Sequence, residues 1–361
     1  MNKVAHKITF ESALEKIRHH AASVDAKGLW PAVSMAALLK CGALAWSVPR
    51  TYGGIGMPPL QIHRHYGQIA SACLTTALIL TQRDAAVEFL AAADANHRAQ
   101  NLLRKLATHR CMVSIGISQV TTSTRHGRSA LVAVPTTDGF RLDGVIPWAT
   151  SVHHCTHLVA AADAGNGNKL VFILPLNLSG VIVHLARPMA VLNGSDTASV
   201  QLAAVSIARE LVLAGPAPDA LKILARRRRF TLNTCVLPLG VAAGALADAR
   251  VELKSRSRIC RSTVTKLHTE WKSLASRVYQ HGMGKSIVAS DPLAVEMRAA
   301  CNHLAMRCAL AALELAKGRG LQADHAAQRR VREAMFFFVW SSPTAVIEQT
   351  LSGLTPEPPI C

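Results

Sequence analysis

The spacing of apolar residues changes twice along this chain, and the two changes restrict what it can fold into. From Phe10 to about Ala107, apolar residues recur at three- and four-residue steps, through residues 14–17, 36–44, 69–80 and 85–93, as on amphipathic helices. Three glycines and three prolines at 48–59 force an irregular loop between two of these helices. Around Cys111 the pattern becomes a series of short apolar runs at 112–117, 130–135, 139–142, 158–162, 170–174, 180–185, 200–205 and 210–213. Asp138-Gly139, Gly165-Asn166-Gly167 and Asn193-Gly194 punctuate them, as turns punctuate a barrel or sandwich of about 100 residues. After Gly215-Pro216 long helical patterns return at 218–254, 263–280, 291–318 and 326–338, lengths that suit a bundle. Strands and helices are segregated, so the fold class is α+β and not α/β. The expected units are an N-terminal helical domain at 1–109, a β-barrel domain at 110–215 and a four-helix-type bundle at 216–361.

Composition agrees with large cores: half of the 361 residues are hydrophobic and 17% are charged, which excludes a disordered chain. The longest apolar stretches, 236–247 and 309–316, fit buried helices and fall short of a membrane span. Charges run through residues 1–15 without an apolar signal core, so secretion is not expected. Nine scattered cysteines suit reduced thiols and a cytoplasmic location. The net charge of +18 is concentrated late, at Arg226-Arg227-Arg228-Arg229, Lys254, Arg256, Arg258, Arg261, Lys266, Arg329, Arg330 and Arg332. Such a field attracts polyanions, either the phosphates of a nucleotide cofactor or nucleic acid.

Residues 144–162 concentrate chemistry. After the turn signal Asp143-Gly144, a turn over Pro147-Trp148-Ala149-Thr150 would set a flat aromatic face beside a hydroxyl, and both can meet a planar ligand. In a strand, His153, Cys155 and His157 would share one face as competent zinc ligands. No fourth ligand has sensible spacing, so no metal is expected, and His153 or His154 is read as lining a pocket. Phe336-Phe337-Phe338 with Trp340 reads as core. No GxxxxGK[ST], GxSxG or CxxC is present.

In this order the motifs resemble those of the acyl-CoA dehydrogenase superfamily of FAD-binding flavoproteins, over roughly residues 38–354. Tyr52-Gly53-Gly54-Ile55-Gly56 resembles the family's YGGxG loop between helices. Ser118-Gln119-Val120-Thr121-Thr122-Ser123 stands where the family has TEPxxGS, which implies cofactor contacts from Ser118, Gln119 and Ser123. Pro147-Trp148-Ala149-Thr150-Ser151 is similar to the WIT segment, which implies Trp148 packed on the flavin ring and the Thr150 hydroxyl at its N5. Leu192-Asn193-Gly194-Ser195-Asp196-Thr197 resembles RxSDT near the acyl-thioester channel, with Asn193 in the Arg position and Ser195 as an implied substrate contact. Gly240-Val241-Ala242-Ala243-Gly244 is similar to a small-residue helix face. Arg256 and Gly318, the latter within Lys317-Gly318-Arg319-Gly320-Leu321, match positions that reach a neighbouring subunit's FAD in relatives.

The family's dehydrogenases take the substrate's α-proton with a Glu in a YEGT-like motif. That motif falls on Trp340-Ser341-Ser342-Pro343, so Ser341, an implied substrate contact, stands at the Glu position. A serine of ordinary pKa is no general base, and losing that role typically costs about 10²–10⁴-fold. The alternative base position, within 224–230, carries only arginines as charged residues, and Glu348 lies further on. The catalytic residue is therefore unassigned. The resemblance implies an FAD-dependent oxidoreductase acting on CH–CH bonds of an acyl-type substrate or in a related flavin oxidation, as a homodimer or homotetramer. Two readings stay open beside it: a flavin-dependent monooxygenase of the same fold, and a silent or nucleic-acid-binding homologue using the basic bundle.

Overall fold

The computed structural model describes residues 8–122, 129–225, 232–253, 257–284 and 291–355. Five helices open the chain: α1 Phe10–Lys27, α2 Ala32–Lys40, α3 Pro59–Ala72, α4 Leu74–Ala92 and α5 His97–Ala107. The Thr9 side chain caps α1 by accepting the Ser12 N–H at 3.2 Å, and Gly28 ends it in the left-handed region at φ 60°, where glycine carries no Cβ penalty. The glycine-rich loop is a connector, with a 3-10 turn at Arg50–Tyr52 closed by left-handed Gly53. α4 is apolar on nearly every face because it is buried on nearly every face.

Eight strands follow: β1 Val113–Gly116, β2 Leu131–Pro135, β3 Gly139–Ala149, β4 His157–Asp163, β5 Lys169–Pro175, β6 Val181–Val183, β7 Ala198–Ala208 and β8 Val212–Ala217. They form one sheet in the order β6-β7-β3-β2-β4-β5-β8, with β1 parallel to β4. The end strands β6 and β8 are not paired with each other among the described residues. The β domain expected in the middle of the chain is this sheet, curled so that side chains from both ends, Val181 and Val212 included, meet one core. β4 explains the continuous apolar run at 158–162. Leu158, Ala160 and Ala162 face that core, while Val159 and Ala161 face the opposite one against α4, α5 and α6, so both faces are buried.

The Asp143-Gly144 turn and the turn at 147–150 are not found; β3 runs through both to Ala149. Opposite it the extra residue of a bulge lies in β7, where Ala203 and Ala204 fall between the partners of Gly144 and Leu142 and Ala204 has φ 52°, while Gly144 itself sits at φ 133°. A Cβ there would lie 2.1 Å from the Ala130 carbonyl oxygen. Pairing to β2 on one side and β7 on the other holds the strand where local propensity favours a reversal.

The second helical region comprises α6 Ala220–Ala225, α7 Asn233–Glu252, α8 Arg258–Gly284, α9 Pro292–Ala316, α10 Ala326–Phe336 and α11 Thr344–Ser352. The single helix expected at 218–254 is thus two, and α11 was not anticipated. α7 has the length and hydropathy of a membrane span. It lies instead in a core shared by α1–α4 and α7–α10, so the first and last thirds of the chain pack as one helical body. Gly240 and Gly244 make this contact close. A Cβ on Gly240 would stand 2.4 Å from the Gly67 carbonyl oxygen and 2.7 Å from Ala70 Cβ of α3. Beside Gly244, buried Arg330 of α10 donates to Asp248 at 3.1 Å, to Glu333 at 3.0 Å and to the Ser71 carbonyl at 2.6 Å. Burial opposes its charge, but Glu333 and Asp248 outweigh burial and hold its pKa above the ordinary value.

Gly240→Ala tests this contact. The change gains about 1 kcal/mol of helix propensity but forces a methyl against backbone, which costs about 1–3 kcal/mol in a packed interface. The expected outcome is a lower urea midpoint at unchanged m-value, and a raised midpoint would show that α3 and α7 have room to spare.

Candidate functional site

β3 ends by delivering Trp148, Ala149 and Thr150 to the edge of the sheet. The register shift between Ile146 and Ala149 places an extra residue in β3, so that Ala149 joins Ile146 in the core and Trp148 is left 53% exposed. At Ser151 the backbone enters the left-handed region (φ 63°) and makes a 3-10 turn at Val152–His154. A second such turn, Asn193–Ser195 with Leu192 and Asp196 both left-handed, lies against it. The two are zipped along the backbone by the Ser151 N–H donating to the Ser195 carbonyl at 2.9 Å and the Val152 N–H to the Asp196 carbonyl at 3.3 Å. The Asp196 carboxylate accepts the His153 backbone N–H at 3.1 Å and lies 2.8 Å from His153 Nδ1. A carboxylate only accepts, so Nδ1 carries the proton in this bond.

Three hydroxyls join the turns from inside. Ser195 Oγ is 2.8 Å from Thr197 Oγ1, and Thr197 donates to Thr150 Oγ1 at 3.1 Å. Ser195 is fully buried and bears on Thr150 through Thr197.

Asn193 does the work that left its position without an Arg. Its side-chain oxygen accepts the Met189 N–H and its side-chain nitrogen donates to the Met189 carbonyl, both at 2.7 Å. The N-terminal helices seat this turn: a Cβ on Gly28 would lie 3.0 Å from Asn193 Cβ, and one on Gly194 would lie 2.6 Å from the Leu29 carbonyl. Trp30 stacks on His154 at 3.8 Å between ring centres, 18° from parallel. From α10, Arg332 donates to the Ala190 carbonyl at 3.2 Å and to both carboxylate oxygens of Asp25 on α1, one at 2.9 Å. A cleft of about 350 Å³ between the end of α1 and the 186–193 segment reaches Thr197, with Lys27, Arg187 and Met189 on its walls.

On the neighbouring strand ends the 3-10 turn Ser118–Val120 packs against β3 and β4. Gln119 is turned inward: its side-chain nitrogen donates to the carbonyls of Gly116 at 2.9 Å and Ala161 at 2.6 Å. Its nitrogen braces β1 on β4, while its side-chain oxygen is buried and, among the described residues, has no hydrogen-bond partner. Ser118 Oγ is buried and, among the described residues, has no hydrogen-bond partner.

Known proteins resemble this chain along most of its length. The acyl-CoA dehydrogenase N-terminal domain profile matches residues 9–110. A short-chain-specific acyl-CoA dehydrogenase of Clostridium acetobutylicum is 22% identical over 95% of this chain and 94% of its own. The chain thus carries an acyl-CoA dehydrogenase N-terminal domain at 9–110 and is similar to an acyl-CoA dehydrogenase along nearly its whole length. Butyryl-CoA dehydrogenase from Megasphaera elsdenii superposes with a TM-score of 0.80 at 19% identity, covering 98% of this chain and 96% of that one. A dibenzothiophene monooxygenase from Paenibacillus superposes with a TM-score of 0.78 at 15% identity, covering 96% and 95%.

Within this acyl-CoA dehydrogenase-like fold, Trp148, Thr150 and Ser195 gather where β3 ends, and the Ser118 turn packs against β3 and β4. Ser123 and Arg256 lie outside the described residues. Gly318 sits at the far end of α9 in a 3-10 turn, with open space where its Cβ would be. Next to it Arg319 is paired with Glu252 at 2.6 and 2.8 Å. Ser341 is an exposed residue at φ 51° just beyond α10. Its loop is tied to α9 by buried Arg298, which donates to the Trp340 carbonyl at 2.5 Å and to Ser342 Oγ at 3.3 Å. Glu348 is exposed on α11. His153, Cys155 and His157 do not share a strand face, because His153 is in the 3-10 turn and only His157 is in β4. Sequence reasoning passed over Thr197, Trp30 and Arg332 as site residues. Only SDT hinted at Thr197, and nothing local signals a ring stack between residues 30 and 154.

Burial under Trp30 lowers the His154 pKa; His153 adds to the effect and Asp196 opposes it. A histidine whose pKa falls on folding binds its proton more readily unfolded. Its contribution is therefore complete above the unfolded pKa of about 6.5 and is lost as pH falls through the folded value. His154→Gln is expected to flatten the decline in Tm between pH 7 and pH 5 relative to wild type, measured by calorimetry; parallel declines would contradict this.

Proposed function

We propose that this protein is an FAD-dependent oxidoreductase whose flavin ring lies against the Trp148–Thr150 end of β3. The observation that carries the reading is the presentation, where β3 ends, of a half-exposed indole face and the Thr150 hydroxyl, with the Ser118 hydroxyl, unpartnered among the described residues, on a turn that packs against β3 and β4. An orphaned buried hydroxyl costs roughly 1–3 kcal/mol unless something bonds it, and the polar edge of a flavin suits Ser118. The indole face suits the ring. A bound flavin would supply a two-electron acceptor. The protein supplies orientation: the zipped turns fix Thr150, and the Trp30–His154 stack shields the outer side of the turn from water. Oligomerisation as a homodimer or homotetramer belongs to the same reading, with Gly318, and Arg256 outside the described residues, as the positions assigned to a second subunit's cofactor.

The substrate is of acyl type or undergoes a related flavin oxidation. Ser341 favours a second reading, monooxygenation, because a hydroxyl of ordinary pKa does not remove a C–H proton near neutral pH and that chemistry needs no carboxylate there. Anaerobic titration with acyl-CoA thioesters separates the two. Bleaching of the visible flavin band supports dehydrogenation, and an unbleached band that turns over with a separate reductant and oxygen supports monooxygenation.

Purified wild-type protein is expected to be yellow or to take up FAD with quenching of flavin fluorescence. Trp148→Ala is expected to weaken FAD binding about tenfold, the equivalent of ~1.4 kcal/mol of lost ring contact. Equal affinity for FAD in wild type and variant would remove Trp148 from the site.

A further inference from the structure

We infer that Ser195 and Thr197 are positioning residues that present Thr150 to its ligand as a hydrogen-bond donor, and so favour the oxidised state of a bound flavin. The inference rests on the flavin reading above and concerns residues that touch no ligand in it.

It follows from counting protons. Three hydroxyls carry three protons and make two bonds among themselves. The Ser195–Thr197 bond at 2.8 Å can run either way by its own geometry. The Thr197–Thr150 bond at 3.1 Å runs one way, with Thr197 as donor. Thr197 has a single proton, and that bond uses it, so the bond to Ser195 must take its proton from Ser195. The one uncommitted proton is on Thr150. Among the described residues no acceptor takes it, and Thr150 is buried. Each donor also polarises the next, which strengthens the terminal donor and weakens the same oxygen as an acceptor.

The ligand atom facing Thr150 should therefore be an acceptor. In an oxidised flavin the central ring nitrogens carry lone pairs. Two-electron reduction adds a proton to N5, turning an acceptor into a donor that Thr150, already accepting from Thr197, is poorly disposed to receive. A donor chain ending at Thr150 stabilises the oxidised ring relative to the reduced one. The turn geometry enforces the arrangement, since Ser151 and Asp196 are held in left-handed backbone by the bonds between the two turns.

The test is the flavin midpoint potential of the FAD-loaded full-length protein, read against a reference dye during reduction by xanthine and xanthine oxidase. Thr197→Val keeps the shape of the side chain and removes the donor. The expected result is a potential about 30 mV more positive, a roughly tenfold shift of the oxidised-to-reduced ratio toward reduced flavin. Thr197→Ser restores a donor and should return the potential to the wild-type value. If Thr197→Val fails to fold, Ser195→Ala removes the donor to Thr197 and should shift the potential in the same direction by a smaller amount. A flavin-loaded Thr197→Val protein with the wild-type potential, or with a more negative one, overturns the donor chain while leaving the flavin reading intact. Wild-type protein that takes up no flavin overturns both.

Discussion

The close approach of α3 and α7 is the contact on which the rest of the structure depends. Gly240 and Gly244 let the two backbones meet where any Cβ would strike a carbonyl, and Arg330 fills the remaining space while satisfying the end of α3. A buried arginine is costly unless paired; here two carboxylates and a backbone carbonyl receive it. Helices from opposite ends of the sequence thereby share one core. The sheet, inserted between them in the chain, is gripped on one face by α4, α5 and α6.

That clamp decides where the chemistry lies. With α1 and α10 fixed in one helical body, Asp25 and Arg332 can pin the 186–193 segment from both sides, and the Asn193 turn is pressed against the end of β3. Backbone zipping then converts a mobile strand exit into a fixed mount for Thr150. The left-handed residues Ser151, Leu192 and Asp196 cluster here because cross-turn bonds offset a cost of about 1–2 kcal/mol each.

Part of the basic charge of the bundle joins helices to one another: Arg277, Arg307, Arg319, Arg330 and Arg332 are each paired with a carboxylate on another element. Several of these pairs are exposed, and each contributes little alone, but they withdraw those cations from the field that a polyanion would meet.

The sequence by itself determined the order of helical, strand and helical regions, because the apolar period switches from 3.6 to 2 and back and that period is a local property. It also determined the family resemblance and the neighbourhood of Trp148 and Thr150, which are adjacent in the chain. It misplaced what depends on neighbours. Asp143-Gly144 reads as a turn, yet pairing to β2 and β7 keeps it inside β3. Gln119 and Ser195 have the chemistry of ligand contacts, and only tertiary burial shows the first bonded to strand carbonyls and the second linked to Thr197. The pairing of residues 150–154 with 193–197, and the Trp30 stack above them, join segments more than 40 and more than 120 residues apart. No local pattern encodes such contacts, because they exist only once the helical body has closed and set both segments in place.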